Sequence, residues 1–197
     1  MTLESHSLFL GIVAASLHGV GYIVYNIQTE FGKSKPNPVS WSFWAFLAII
    51  NVFTYNDVSG SFVLTMQYIV GSFACSLTFL WTLARGNYKW PSLKEWGYFL
   101  LGLIAFVVWL VFKNAIFANM IVLVSFVFTF IPTIKGVIQN PEKESPWSWV
   151  LWTTAFFLTC LNVCRTFDGN IYSFISPFVM LILHGSIIVL SMREKKS

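Results

Sequence analysis

Two pairs of tryptophans stand at matching positions in a short motif that the sequence contains twice. Residues 38–44 and 146–152 both fit the pattern P-x-S-W-x-x-W. The shared residues are Pro38, Ser40, Trp41 and Trp44 in the first copy and Pro146, Ser148, Trp149 and Trp152 in the second. On a helix, the two tryptophans of a copy share one face, where an indole can stack on a flat or ring-shaped solute. The alternative is an aromatic belt, since tryptophan is enriched where helices leave a membrane.

Other polar side chains lie inside apolar stretches, where they must face protein or a water-filled cavity. Together with two of the tryptophans, the candidates for contact with a solute are Trp44, Trp152, Asn51, Gln67, His184 and Tyr25. For the amides, hydrogen bonding between helices is the competing interpretation. His18 and His184 could carry a proton or bond to a solute hydroxyl, and here too a neutral interhelical hydrogen bond is the alternative.

The residue types needed for catalysis or metal binding are not grouped in this sequence. Cys75, Cys160 and Cys164 are odd in number and lie within apolar runs, which favours packing over disulfides or a metal site. No phosphate-binding loop, zinc pattern or nucleophilic triad is evident. The acidic residues, Glu144 among them, fall in loops or at helix ends, so passive movement of a solute is expected rather than pumping. The sequence therefore predicts neither an enzyme nor a cofactor or metal.

The composition is that of a protein whose surroundings are lipid. Of 197 residues, 56% are hydrophobic and 10% are charged, and the mean hydropathy is +0.70; a soluble domain has about 25% charged residues. Stretches of about 20 apolar residues predict spanning helices. They fall at residues 7–28, 39–55, 61–83, 96–111, 115–138, 147–163 and 171–192. The predicted fold class is all-α and integral to the membrane, with seven transmembrane helices.

The basic residues predict an orientation for these helices. If all seven cross, ten of the twelve Lys and Arg side chains lie on one face, and only Lys113 and Arg165 lie on the other. The ten are Lys33, Lys35, Arg85, Lys89, Lys94, Lys135, Lys143, Arg193, Lys195 and Lys196. An excess of positive residues marks the cytoplasmic side, so we expect the N-terminus outside and the C-terminus in the cytoplasm. Because the positive residues are spread over short loops, the net charge of +4 does not indicate nucleic-acid binding.

The repeated motif divides the chain into two similar units. We predict a first three-helix repeat in residues 1–88, a linker helix in 89–113 and a second three-helix repeat in 114–197. A single linker helix crosses the membrane once, so both units keep the same orientation and form a parallel repeat.

With this plan, the sequence resembles the PQ-loop/SWEET-like superfamily, which includes the SWEET and semiSWEET sugar facilitators and the nicotinamide riboside transporters. The resemblance is closest to small bacterial members. It is carried by residues 21–26 and 33–41 in the first unit and by 131–135 and 144–149 in the second. The family's Pro-Gln pair is incomplete, since Pro132 is followed by Thr133 and the first unit has Val24 and Tyr25 there. The resemblance implies a solute site between the units, alternating access by rocking, and a hinge at Pro132.

These observations together predict a multi-pass protein of the cell (plasma or inner) membrane. Its predicted function is a facilitator that moves a small, uncharged solute, such as a sugar, vitamin or nucleoside, by alternating access. The alternative is a membrane receptor, sensor or assembly factor on the same seven-helix fold. The expected partners are the lipid bilayer and a small-molecule solute, with a homo-oligomer left open and no nucleic acid.

Overall fold

Every regular element is helical in the part of the chain that the computed structural model describes, which is residues 2–36, 38–84 and 93–193. The seven α-helices are α1 (Leu3–Glu30), α2 (Pro38–Ser59), α3 (Phe62–Ala84), α4 (Leu93–Phe112), α5 (Ala115–Gln139), α6 (Pro146–Arg165) and α7 (Tyr172–Ser191), with a 3₁₀ turn at Pro141–Lys143. Each predicted apolar stretch corresponds to one of them. The predicted boundary between residues 88 and 89 lies outside the described residues, as do Arg85, Lys89, Lys195 and Lys196.

Local hydrogen bonds and turn residues set several helix ends. The Thr2 hydroxyl accepts a bond from the backbone N–H of Ser5 at the start of α1, and the Asn114 side chain caps α5 in the same way. Pro146 occupies the first turn of α6, where a missing N–H does no harm. After α2, Gly60 adopts a left-handed φ of +59° and its N–H bonds to the Asn56 carbonyl, which allows α3 to begin almost at once.

The outer surface of these helices is apolar, as expected for contact with lipid. Large side chains such as Phe73, Ile182 and Val189 are more than half exposed, and a continuous surface of this kind is rare on a soluble monomer. Five helices of the described chain are long and apolar enough to cross a membrane: α1, α3, α5, α6 and α7. The structure is thus consistent with a helical membrane protein.

Six of the helices form a closed ring. The helix α1 packs against α3 and α6, α2 packs against α3 and α5, and α7 packs against α5 and α6. The order around the ring is therefore α1, α3, α2, α5, α7, α6. The remaining helix, α4, lies outside the ring against α5 and α2. This arrangement encloses the centre of the ring and brings the faces that carry the tryptophan motifs toward it.

Buried amides connect α2 to α5 inside the ring. The Asn119 side-chain nitrogen on α5 donates to Asn51 Oδ1 at 2.8 Å and to Thr54 Oγ1 at 3.1 Å, both on α2. All three side chains are buried. Interhelical bonds of this kind are worth about 0.6–2 kcal/mol each in a membrane protein.

Replacing Asn119 by leucine is expected to lower the free energy of unfolding by about 1–3 kcal/mol, because both bonds are lost and the Asn51 oxygen is left without this donor. Unfolding in mixed detergent measures the change. Asn56→Leu is the matched control, since Asn56 is exposed near the end of α2. Equal losses for the two variants would contradict the assigned role of Asn119.

Candidate functional site

A narrow cavity of about 50 Å³ lies at the centre of the ring, and all six ring helices contribute to its wall. Roughly 10–15 Å³ is enough for one buried water, so the cavity has room for a few waters in this conformation. Most of the wall is aromatic, and these side chains are Tyr22, Trp41, Trp44, Tyr68, Phe126, Phe130, Trp149, Trp152 and Phe156.

The four repeated tryptophans form a single cluster across the ring. Trp41 and Trp44 on α2 pack edge to face with ring centroids 5.2 Å apart, and Trp149 and Trp152 on α6 do so at 5.1 Å. Across the ring, the centroids of Trp41 and Trp152 lie 6.4 Å apart, and those of Trp44 and Trp149 lie 6.3 Å apart. None of the four is more than 7% exposed. The indoles therefore point inward and do not lie in a lipid-facing aromatic belt.

Three of the four indole N–H groups are already used by the protein. Their partners are Thr129 Oγ1 for Trp44, Glu144 Oε2 for Trp149 and the His18 carbonyl for Trp152. These bonds fix the orientation of the three rings. Only the aromatic faces and edges of these rings remain available to a molecule in the cavity, so they would recognise a ligand by stacking rather than by hydrogen bonding.

Two imidazoles provide polar atoms in this aromatic wall. His184 Nδ1 lies 2.8 Å from the Met180 carbonyl, so it carries the proton, and its Nε2 is an acceptor. His18 Nδ1 lies 2.9 Å from Gln67 Nε2, and Gln67 Oε1 accepts a bond from Thr159. The Gln67 nitrogen therefore donates to His18, which places the His18 proton on Nε2. The neutral pair thus consists of one donor and one acceptor.

Four of the six residues predicted to contact a solute line the cavity, namely Trp44, Trp152, Asn51 and His184. The other two lie behind the wall. Gln67 holds His18 in its tautomer, and the Tyr25 hydroxyl donates to Glu144 Oε1 at 3.2 Å. Both are buried and position groups of the wall rather than lining the cavity themselves.

The remaining motif residues mark the ends of the two tryptophan-bearing helices. Pro38 begins α2 and Pro146 begins α6. Ser40 is buried, and the Ser148 hydroxyl donates to Gln28 Oε1 on α1 at 3.2 Å. Pro132 lies inside α5, two residues beyond the cavity residue Phe130. In the described ranges, no three His, Cys, Asp or Glu side chains are grouped so that they could hold a metal.

Several residues of the site were not singled out from the sequence. They are Tyr22, Ser72 and Cys75 in the wall and the Glu144 carboxylate behind Trp149. Helical spacing was the available signal for the first two, since Tyr22 follows His18 by one turn and Ser72 follows Tyr68 by one turn. No comparable signal pointed to Glu144, because its position depends on how a loop folds over the helix ends.

The wall is built from matching positions of the two halves of the chain. Six pairs of lining residues have the same separation in sequence: His18 and Phe126, Tyr22 and Phe130, Trp41 and Trp149, Trp44 and Trp152, Ala48 and Phe156, and Ser72 and Met180. A seventh pair at this separation is bonded directly, with the Tyr68 hydroxyl 3.3 Å from Ser176 Oγ. The helices α1, α2 and α3 thus present to the cavity the same positions as α5, α6 and α7.

No family model, curated protein or solved structure matches the chain. Its function must therefore be inferred from the geometry of the cavity.

Proposed function

We propose that the protein is a membrane transporter, a facilitator that moves a small, uncharged solute through the central cavity by alternating access. In this proposal, α1–α3 and α5–α7 are two parallel three-helix repeats and α4 is the linker between them. All seven helices span the plasma or inner membrane, with the N-terminus outside and the C-terminus in the cytoplasm. The bilayer and the solute are its partners.

The observation that carries this proposal is the pairing of the cavity residues. A common separation within six pairs, drawn from three pairs of helices, is what a duplicated unit with a two-fold axis through the cavity would give. A site shared equally by two related bodies is suited to exposure first on one side of the membrane and then on the other.

The contacts between the proposed repeats also support two moving bodies. Within each repeat, the third helix packs between the first and the second. Between repeats, α1 meets α6 and α2 meets α5, so the first helix of each repeat contacts the second helix of the other. Two equivalent interfaces on opposite sides of a cavity allow one body to rock against the other. Pro132 in α5 removes a helical hydrogen bond where such bending would be easiest.

Hydrogen bonds join the proposed repeats near both ends of the ring. At the end of the α1–α2 and α5–α6 loops, the bonds run from Lys35 N to the Lys143 carbonyl at 2.8 Å and from Ser145 N to Ser34 Oγ at 3.2 Å. At the other end, they run from the Tyr55 hydroxyl to the Ser173 carbonyl at 2.9 Å and from Asn170 Nδ2 to the Val58 carbonyl at 2.6 Å. Alternating access requires these two sets to open in turn.

The wall is suited to an uncharged molecule with a flat face. Aromatic rings provide stacking surfaces, while His18 Nε2 and His184 Nε2 provide one donor and one acceptor. Asn51 Oδ1 is bonded to Asn119, which leaves the Asn51 amide N–H groups for a solute. Both histidines pack against Phe156, with ring centroids 5.1 Å apart in each case, so the polar atoms flank a common aromatic surface.

One observation favours the alternative of a receptor, sensor or assembly factor. The cavity is small and hydrogen bonds join the helices at both ends of the ring, as expected for a scaffold whose polar groups serve only to hold the helices together. A receptor would bind its ligand without moving it across the membrane, and a scaffold would bind none.

A thermal-shift screen of the purified protein against sugars, nucleosides and vitamins tests for the site. We expect one chemical class to raise the melting temperature, since a ligand at about a hundredfold excess over its dissociation constant adds roughly 2.7 kcal/mol of stability. Failure of every class at such excess would argue for the scaffold.

The variant Ala48→Leu tests whether a rise in melting temperature comes from binding in the cavity. Ala48 lines the wall one turn from Trp44 and is only partly buried, so leucine would fill free space without removing a hydrogen bond. We expect the variant to keep the stability of the unliganded protein and to lose the response. Ala84→Leu at the exposed end of α3 is the control, and equal responses in the two variants would place the ligand elsewhere.

A further inference from the structure

Glu144 is a buried carboxylate in the loop between α5 and α6. Its side chain is 4% exposed although it lies outside the helices. The two oxygens are held by different helices, since Oε1 accepts a hydrogen bond from the Tyr25 hydroxyl of α1 at 3.2 Å and Oε2 accepts one from the Trp149 indole of α6 at 3.1 Å. The carboxylate therefore connects the two proposed repeats at one end of the ring.

This carboxylate also lies between two spaces. On one side, its partner Trp149 lines the central cavity. On the other side, Glu144 itself lines an open depression of about 470 Å³ at the loop end of the bundle, together with Lys33, Glu142 and Arg193. The Tyr25, Glu144 and Trp149 contact therefore links the lining of this depression to the lining of the cavity.

We propose that Glu144 is the gate between the central cavity and this depression, and that binding and release of its proton close and open that gate. The inference rests on the proposed function only in assuming that the cavity opens at this end. It gives a proton a direct part in a movement that the sequence alone predicts to be passive.

The direction of the proton effect follows from the surroundings of the closed gate. Burial raises the pKa of Glu144 from 4.5 to about 7, and hydrogen bonds from Trp149, Tyr25 and Ser34 oppose this shift without cancelling it. When the gate opens and water reaches the carboxylate, its pKa falls back toward the ordinary value. The closed form thus binds the proton more tightly, so protonation favours closure and a rise in pH through about 7 favours opening.

Other charged and titratable groups surround this carboxylate. Those on the elements around it are Tyr25 on α1, Lys33 and Lys35 in the first loop, Glu142 and Lys143 in the 3₁₀ turn, and Arg193 after α7. The depression contains both signs of charge, and burial is the largest cause of the shift at Glu144. Opening should therefore depend on the protonation state of Glu144 alone.

A native cysteine can report the opening without a known solute. Cys75 lines the cavity and is buried, whereas neither Cys160 nor Cys164 lines it. In the full-length Cys160→Ser, Cys164→Ser protein, the rate of Cys75 modification by N-ethylmaleimide, followed by mass spectrometry, measures access to the cavity. Comparing Glu144 with Glu144→Gln at each pH cancels the ionisation of the thiol itself.

We expect the rate for the Glu144 protein, divided by that for Glu144→Gln, to rise about tenfold between pH 5.5 and 8.5. Glu142→Gln changes a neighbouring carboxylate that is exposed, and it should leave the pH dependence of Cys75 labelling unchanged. A ratio independent of pH would overturn the proposal.

Tyr25→Phe provides a second route if Glu144→Gln does not fold. Loss of the Tyr25 bond removes a group that lowers the pKa of Glu144, so the rise in labelling should move to higher pH. If the pH midpoint of the rise in Cys75 labelling did not change, the proposal that Glu144 is the gate would be overturned. Solute uptake is measured separately, so the two proposals can fail independently. Labelling that depends on pH without any solute uptake would contradict the transporter proposal but not the gate. Solute uptake without pH-dependent labelling would contradict the gate but not the transporter.

Discussion

Replacing Trp152 by alanine is expected to lower the free energy of unfolding by about 3–5 kcal/mol and to abolish any response to a solute. The side chain is buried, so the substitution leaves a void that the surrounding aromatic rings cannot fill by moving. It also removes the bond from Nε1 to the His18 carbonyl, 3.1 Å long, which joins α6 to α1. Trp44→Ala, which loses the bond to Thr129, should behave similarly.

Trp147 offers a matched control on the same helix. It is 67% exposed and lies outside the cavity wall, so Trp147→Ala should cost no more than about 0.5–1 kcal/mol and keep the response. Denaturant unfolding and the thermal shift measure both quantities. If Trp152→Ala lowered the free energy of unfolding no more than Trp147→Ala, the placement of Trp152 in an inward-facing cluster would be contradicted.

Adding one methyl group at Gly21 is expected to have the second-largest effect. A Cβ at this position would lie 2.6 Å from Trp152 Cδ1, so the indole must leave its place against α1. Overpacking of this kind costs about 1–3 kcal/mol, and here it would also push the ring into the cavity and block it. Gly21→Ala should therefore reduce stability and ligand response together.

The smaller ring of phenylalanine tests this explanation. In the double variant Gly21→Ala, Trp152→Phe, part of the lost stability should return, because the two positions are in contact and their effects are not additive. Gly97→Ala on α4 is the control, since nothing lies within 4 Å of its added Cβ; alanine there should stabilise the helix by about 0.5–1 kcal/mol. Additive losses at Gly21 and Trp152 would contradict the steric account.

The helices and the tryptophan faces were predictable because their signals are local. Runs of apolar residues locate all seven helices, and the spacing of Trp41 and Trp44 places both rings on one face whatever the fold. The choice between a belt and a cavity was not predictable. It depends on how α2 and α6 are turned within the ring, which is decided by packing against neighbouring helices.

Contacts between distant segments account for what sequence reasoning missed. Gln67 was predicted either to contact a solute or to form hydrogen bonds between helices, and its partners His18 and Thr159, on two other helices, bond to both ends of its amide. Glu144 looked like an ordinary loop residue, and only the fold of the loop shows that Tyr25 and Trp149 enclose it. Neither arrangement leaves a periodic pattern along the chain.

Uptake into proteoliposomes shows directly whether a solute moves through the cavity. The assay would follow labelled sugars, nucleosides and vitamins into vesicles containing the wild-type protein or Ala48→Leu. We expect saturable uptake of one class, faster when the vesicles are preloaded with the unlabelled solute, and loss of this uptake in Ala48→Leu. Uptake of every class at the rate of protein-free vesicles, or equal uptake by the two proteins, would mean that no solute moves through this cavity.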